Sequence, residues 1–165
     1  MAYSAYAIAN AFVTLAQDNK IPDLTPMKLQ KLMYFAQAWY LRVRGQPLMD
    51  DHFARWQYGP VVPAIYHEFK TFGSRPITQH ANTLSRRVDD DSFTVIVPTV
   101  PSNDKDTWDL LSVIAKQYGQ LSAQQLSGIT HQPGSAWAQT KEPDGSAITH
   151  QQIMNDSAVF GHLKS

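Results

Sequence analysis

The chain has no cysteine. Disulfides and thiolate metal ligands are excluded, and the composition fits a reducing, cytoplasmic setting. Neither charge is in excess, since 14 Lys and Arg balance 14 Asp and Glu. A neutral chain argues against nucleic acid as the main partner, because backbone binding draws on a basic surface. Long apolar runs are missing too. The opening MAYSAYAIANAFVTLAQDNK lacks a basic n-region and is interrupted by Asn10, Gln17 and Asp18. It reads neither as a secretory signal nor as a membrane span.

Assembled chemistry is equally scarce. The six histidines, His52, His67, His80, His131, His150 and His162, include no i, i+4 pair and no HExxH frame, so no metal site is expected. His67-Glu68 could act as acid and base only if a third group met them in space, and the pair reads as helix surface. Gly59 stands alone and cannot cradle a phosphate. Ser135 in Pro-Gly-Ser-Ala lacks the frame of a nucleophile elbow. Asp89-Asp90-Asp91 lacks the spacing of a calcium loop. The chain is therefore read as a non-enzyme without a cofactor.

What is present is a globular composition, 43% hydrophobic and 17% charged, in a length suited to a single domain spanning residues 1–165. The charge is uneven along it. Residues 1–88 hold 10 Lys and Arg against 5 Asp and Glu, and residues 89–165 hold 4 against 9. Mutual attraction of the two halves within one fold is the simpler reading, and a basic face for an acidic partner is the alternative.

The organising stretch is Leu24 to Lys70. Thr25 is an N-cap, and Pro26 occupies the first helical position, where a missing N–H costs nothing. Leu29, Leu32, Met33, Ala36, Trp39, Tyr40 and Val43 recur at helical spacing and predict the inner face of a central helix. Lys28, Lys31, Gln37, Arg42 and Arg44 are expected on the other side. Gly45 and Pro47 stop the helix. Phe53 to Tyr58 alternates and predicts a short strand. Gly59-Pro60 is read as the start of a second helix that runs to Gly73.

Around this stretch, Ser4 caps a helix reaching about Gln17, with Ile8, Phe12 and Leu15 inward. Thr71 to Asn82 is turn-rich. Arg86 and Arg87 before Asp89 to Asp91 predict a solvated turn with local ion pairs, and Ser92 to Val97 a strand. Asn103 is expected to cap a helix closed by Gly119. Ser122 with Gln125, and Thr149 with Gln152, are capping boxes with hydrophobic staples. The last helix is expected to reach about His162. The fold class expected is mainly α (α+β): a single-domain bundle of about six helices with a small β-strand pair on its side.

The run PMKLQKLMYFAQAWYL, the Gly45-Gln46-Pro47-Leu48 turn and ARWQYGPVVPAIYHEFK together resemble the Panacea domain. That domain is shared by SocA-like antitoxins and the phage-associated GepA proteins. Leu121-Ser122, Thr130-His131 and Ser135-Ala136-Trp137 continue the pattern, and the match is poorest between Gln79 and Asn103. The resemblance implies an antitoxin of a toxin–antitoxin system that binds its cognate toxin directly. A cellular protease, with the antitoxin delivering the toxin to it, is a second partner to consider. The alternative is a phage or mobile-element accessory protein, acting as a proteolytic adaptor or a nucleic-acid-associated binding module. Four tryptophans and seven tyrosines suit a protein-binding surface. The expected contact surface is Lys28, Lys31, Tyr34, Arg42, Arg55, Trp56 and Tyr58. Gly59, Pro60, His131 and Trp137 are expected to be structural.

Overall fold

A computed structural model describes residues 2–140 and 144–161. The chain opens with α1 (Ala5–Gln17) and α2 (Pro26–Arg44), then β1 (Phe53–Trp56), β2 (Gly59–Val61) and α3 (Pro63–Phe69). A 3-10 turn over Lys70–Phe72 leads to β3 (Thr83–Arg86) and β4 (Phe93–Ile96). Then come α4 (Lys105–Tyr118), α5 (Ala123–Thr130), α6 (Ala136–Gln139), β5 (Ala147–Ile148), α7 (His150–Met154) and α8 (Ser157–Gly161). The result is mainly helical with two small antiparallel sheets, one ordered β2-β1-β5 and the other pairing β3 with β4.

The helix α2 is the axle. It packs against α1, α3, α4, α5, α7 and β2. Thr25 caps it by accepting from the Lys28 N–H, and Gly45 ends it in the left-handed conformation at φ 72°. Leu29, Leu32, Met33, Phe35, Ala36 and Leu41 are buried along it. Phe35 stacks on Tyr118 of α4 with ring centroids 4.3 Å apart, a contact worth about 1 kcal/mol beyond its burial. Val43 is a correction to the expected inner face: it is 68% exposed, in a last turn that also exposes Arg42 and Arg44.

Other helix boundaries follow local chemistry. Ser4 caps α1, and both capping boxes form with reciprocal side-chain bonds. Asp104, not Asn103, caps α4 by accepting from the Thr107 N–H at 3.2 Å. The last expected helix is two. Asp156 accepts from the N–H groups of Ala158 and Val159 at 3.0 and 3.1 Å, so it stops α7 and starts α8. The expected terminus at His162 lies outside the described residues.

Gly59-Pro60 does not open a helix. Trp56 pairs with Gly59, Arg55 with Pro60 and Ala54 with Val61, closing a hairpin around Gln57-Tyr58. The helix begins only at Pro63, which takes its first position. A proline is tolerated in β2 because that strand lies at the sheet edge.

Candidate functional site

The hairpin joining β1 and β2 has little regular ladder to satisfy its backbone, and side chains from three helices supply the bonds instead. The Trp137 indole N–H of α6 donates to the Trp56 carbonyl at 2.6 Å. The His131 Nε2 sits 2.9 Å from the Gln57 carbonyl and its Nδ1 2.6 Å from the Ser127 carbonyl. A carbonyl only accepts, so the ring nitrogen that carries the N–H donates to the carbonyl facing it. The Ser127 hydroxyl of α5 donates to the Tyr58 carbonyl at 2.9 Å. The Lys31 amine of α2 donates to the Pro60 carbonyl at 3.2 Å. The Gln30 amide closes the sequence, donating to the Val62 carbonyl and accepting from its N–H. Each such bond contributes about 1 kcal/mol, and leaving a buried partner unpaired costs more.

Gly59 is fixed by two independent constraints. Its φ is 115°, and a Cβ there would lie 2.8 Å from the Thr130 hydroxyl and 2.9 Å from the Lys31 amine. Arg55 locks the same corner from outside. Its Nε donates to the Trp137 carbonyl at 3.0 Å, its guanidinium covers the Trp137 ring at 4.0 Å, and it pairs with Asp144 at 2.7 Å. The His131 and Trp137 rings touch with centroids 4.1 Å apart.

In front of the hairpin lies a cavity of about 300 Å³, bordered by Met27, Gln30, Trp56, Tyr58, Val61 and Tyr66 among others. Trp56 meets Tyr66 edge to face, centroids 5.0 Å apart. Tyr58 is 59% and Tyr66 43% exposed, so aromatic rings face solvent around an apolar recess. Below them Lys31 is fully buried. Burial lowers its amine from 10.5 to about 7.

The expected contact residues therefore divide. Arg55, Trp56 and Tyr58 converge on the hairpin. Lys28, Lys31 and Tyr34 are corrections, because all three are buried. Lys28 folds its amine back onto the Pro22 carbonyl at 2.6 Å, and burial lowers its pKa. Tyr34 donates to the Asp156 carboxylate at 2.6 Å; burial first, and that carboxylate second, raise its phenol well above the ordinary value. The same carboxylate accepts from the Ala136 N–H at 3.0 Å, so it ties α2 to α6 and α8. Gln37 is also inside, holding the backbone of Leu48 and Met49. Arg42 is exposed but stands elsewhere, over the Phe160 ring at 4.2 Å. Gly59, Pro60, His131 and Trp137 all meet in the hairpin clasp. Tyr66 was not singled out in the sequence, though three-residue spacing from Pro63 places it on the first turns of α3.

Among the described residues, no group of three or more His, Asp or Glu comes together in a way that could hold a metal ion. No described helix is long and apolar enough to cross a membrane.

Comparison with known proteins matches the part of the chain that builds this clasp. A family model described as "Antitoxin SocA-like, Panacea domain" matches residues 29–138. Antitoxin SocA of Caulobacter vibrioides (strain NA1000 / CB15N) is 31% identical over 134 residues, covering 81% of this chain and 68% of that protein. No solved structure matches. The match runs from Leu29 of α2 through the hairpin to Ala138, just past Trp137, and on that ground the chain belongs to the SocA-like antitoxin family with a Panacea domain.

Proposed function

We propose that this protein is the antitoxin of a two-protein system and neutralises its cognate toxin by direct contact, without catalysis of its own. The observation that carries this reading is membership of the antitoxin family through a match that spans the whole hairpin clasp. The contact surface we assign is the hairpin turn and its recess: Arg55, Trp56 and Tyr58 from the hairpin, with Tyr66 beside them. These are the side-chain types that dominate interface energetics. The clasp behind them supports the assignment, since a turn held by five side chains loses little freedom on binding. Binding there would cover the toxin's working surface. The setting of this encounter is the cytoplasm, consistent with a chain lacking cysteine.

The test is to express the neighbouring reading frame alone and together with this protein. Growth arrest relieved by co-expression, with both proteins recovered in one complex, supports the reading. A harmless neighbour that forms no complex removes it.

A further inference from the structure

The recess in front of the hairpin carries charge of one sign. Lys31 and Lys70 both border it, and no Asp or Glu does. Pro26 and Met27, the first residues of α2, border it as well, so the positive end of that helix's dipole lies there too. The acids closest in sequence are engaged elsewhere. Glu68 accepts from the Asn82 N–H at 3.3 Å, and Asp23 acts on the Lys28 amine. The remaining wall is largely apolar, with Trp56, Val61 and Tyr66 on the hairpin side.

Neither lysine has an anion to meet within the fold. The ion pairs among the described residues all use arginine: Arg44 with Asp106, Arg55 with Asp144 and Arg86 with Asp91. Lys70 is exposed on the 3-10 turn. The Lys31 amine donates to the Pro60 carbonyl. The Thr130 hydroxyl, which shares the space beside Gly59, donates to the Ser127 carbonyl instead. Burial alone lowers the Lys31 amine to about 7, with no charged neighbour acting on it. An ammonium there lacks a counter-charge, and an anion arriving in the recess would supply one.

We infer that the recess seats a segment of the cognate toxin in which a large apolar side chain lies next to an Asp or Glu carboxylate, the side chain against Trp56, Val61 and Tyr66 and the carboxylate paired with Lys70 in the field of Lys31. This inference rests on the antitoxin reading and states which chemistry of the toxin the recess recognises. A cavity of about 300 Å³ is at the small end for a ligand pocket and suits one side chain with its neighbouring carboxylate. Lys70 meets the carboxylate at the surface. Lys31 acts from beneath, through a medium where charge reaches further than in water.

This chain has an apolar and acidic segment of its own, Val88 followed by Asp89 to Asp91, with Val88 98% exposed. It is a poor occupant for a second copy's recess. Asp91 is paired with Arg86, and Asp90 accepts from the Ser92 N–H and hydroxyl at 3.0 and 2.6 Å. Arg86 and Arg87 stand immediately before Val88 and would bring two cations toward the lysines. Charge therefore favours the toxin over a second copy.

The probe is the purified protein encoded by the neighbouring reading frame. Wild-type protein is first titrated with it; absence of binding overturns both the antitoxin reading and this one. With binding established, Lys70→Glu and Lys70→Gln are compared with Lys105→Glu on α4, outside the recess. The expected result is a loss of affinity of about tenfold or more for Lys70→Glu, about threefold for Lys70→Gln and less than about twofold for Lys105→Glu, with melting temperatures unchanged. The isotherms are repeated at pH 7, 8 and 9 with Lys31→Met beside the wild type. A carboxylate near the amine favours its ammonium form, so the complex takes up a proton. Wild-type affinity should fall about fivefold or more from pH 7 to 9 relative to Lys31→Met. The other titratable groups at the recess, Lys70, Tyr58 and Tyr66, with His67 against the Tyr66 ring, are common to both proteins and cancel in the comparison. Wild-type affinity in Lys70→Glu, or the same pH profile in wild type and Lys31→Met, overturns the carboxylate assignment and leaves the antitoxin reading standing. A dimer of this chain that Lys70→Glu dissociates, with toxin affinity intact, also overturns it.

Discussion

Replacing Lys31 by methionine should stabilise the protein in a way that depends on pH. The Lys31 amine is fully buried and donates to the Pro60 carbonyl at 3.2 Å. Burial moves its pKa from 10.5 to about 7. The folded state therefore releases this proton near pH 7, and the unfolded chain holds it until about pH 10.5. Between these values the unfolded state binds more protons, so wild-type stability rises with pH at about 1.4 kcal/mol per pH unit. Below pH 7 the full cost of the buried charge applies, roughly 5 kcal/mol relative to the neutral amine. Methionine keeps the length and apolar stem and loses only the bond to Pro60, about 1 kcal/mol. The variant's advantage should be largest near pH 7 and shrink by about 2–3 kcal/mol between pH 7.5 and 9.5. Urea unfolding of both proteins at pH 7.5, 8.5 and 9.5 measures it, and titrations common to the two cancel in the difference. A stability difference that stays constant with pH would refute the buried-amine reasoning.

Two further substitutions probe the scaffold. Gly59→Val places a branched side chain at φ 115°, against the Thr130 hydroxyl and the Lys31 amine; it should cost about 3 kcal/mol or more, seen as a lowered melting temperature, and an unchanged value would contradict the turn geometry. Asp156→Ala removes the acceptor of Tyr34, Ala136, Ala158 and Val159; a loss of about 3 kcal/mol or more is expected in chemical denaturation, with α8 exchanging its amides first.

Sequence reading succeeded where one local rule decides the outcome. Thr25-Pro26, Ser122 with Gln125, and Thr149 with Gln152 start helices whatever packs around them, because the cap bonds are made within four residues. It failed where a distant partner decides. Lys28, Lys31 and Gln37 look like the wet side of α2, yet they are buried because backbone at Pro22, Pro60 and Met49 needs donors. Gly59-Pro60 has the chemistry of a helix start, but the Trp137, His131 and Ser127 side chains hold the preceding turn as a hairpin. Asp156 reads as a mid-helix acid; it caps α8 through the Ala158 and Val159 N–H groups, and the distant Tyr34 hydroxyl and Ala136 N–H hold its carboxylate in place. In the hairpin, residue type and the family pattern were enough to single out Arg55, Trp56 and Tyr58, and the structure brings these three together there. Tyr66 could not be singled out, since its place beside Trp56 depends on the fold of α3 against the hairpin.

Direct contact with the toxin at the hairpin recess makes a quantitative demand on binding. Its most direct test is a binding isotherm between the purified protein and the purified product of the neighbouring reading frame, repeated with Tyr58→Ala. Contact at the recess predicts a saturable complex of micromolar affinity or tighter, weakened by tenfold or more in the variant, which keeps its melting temperature because Tyr58 is exposed. Growth rescue in cells without any complex between the purified proteins would contradict it.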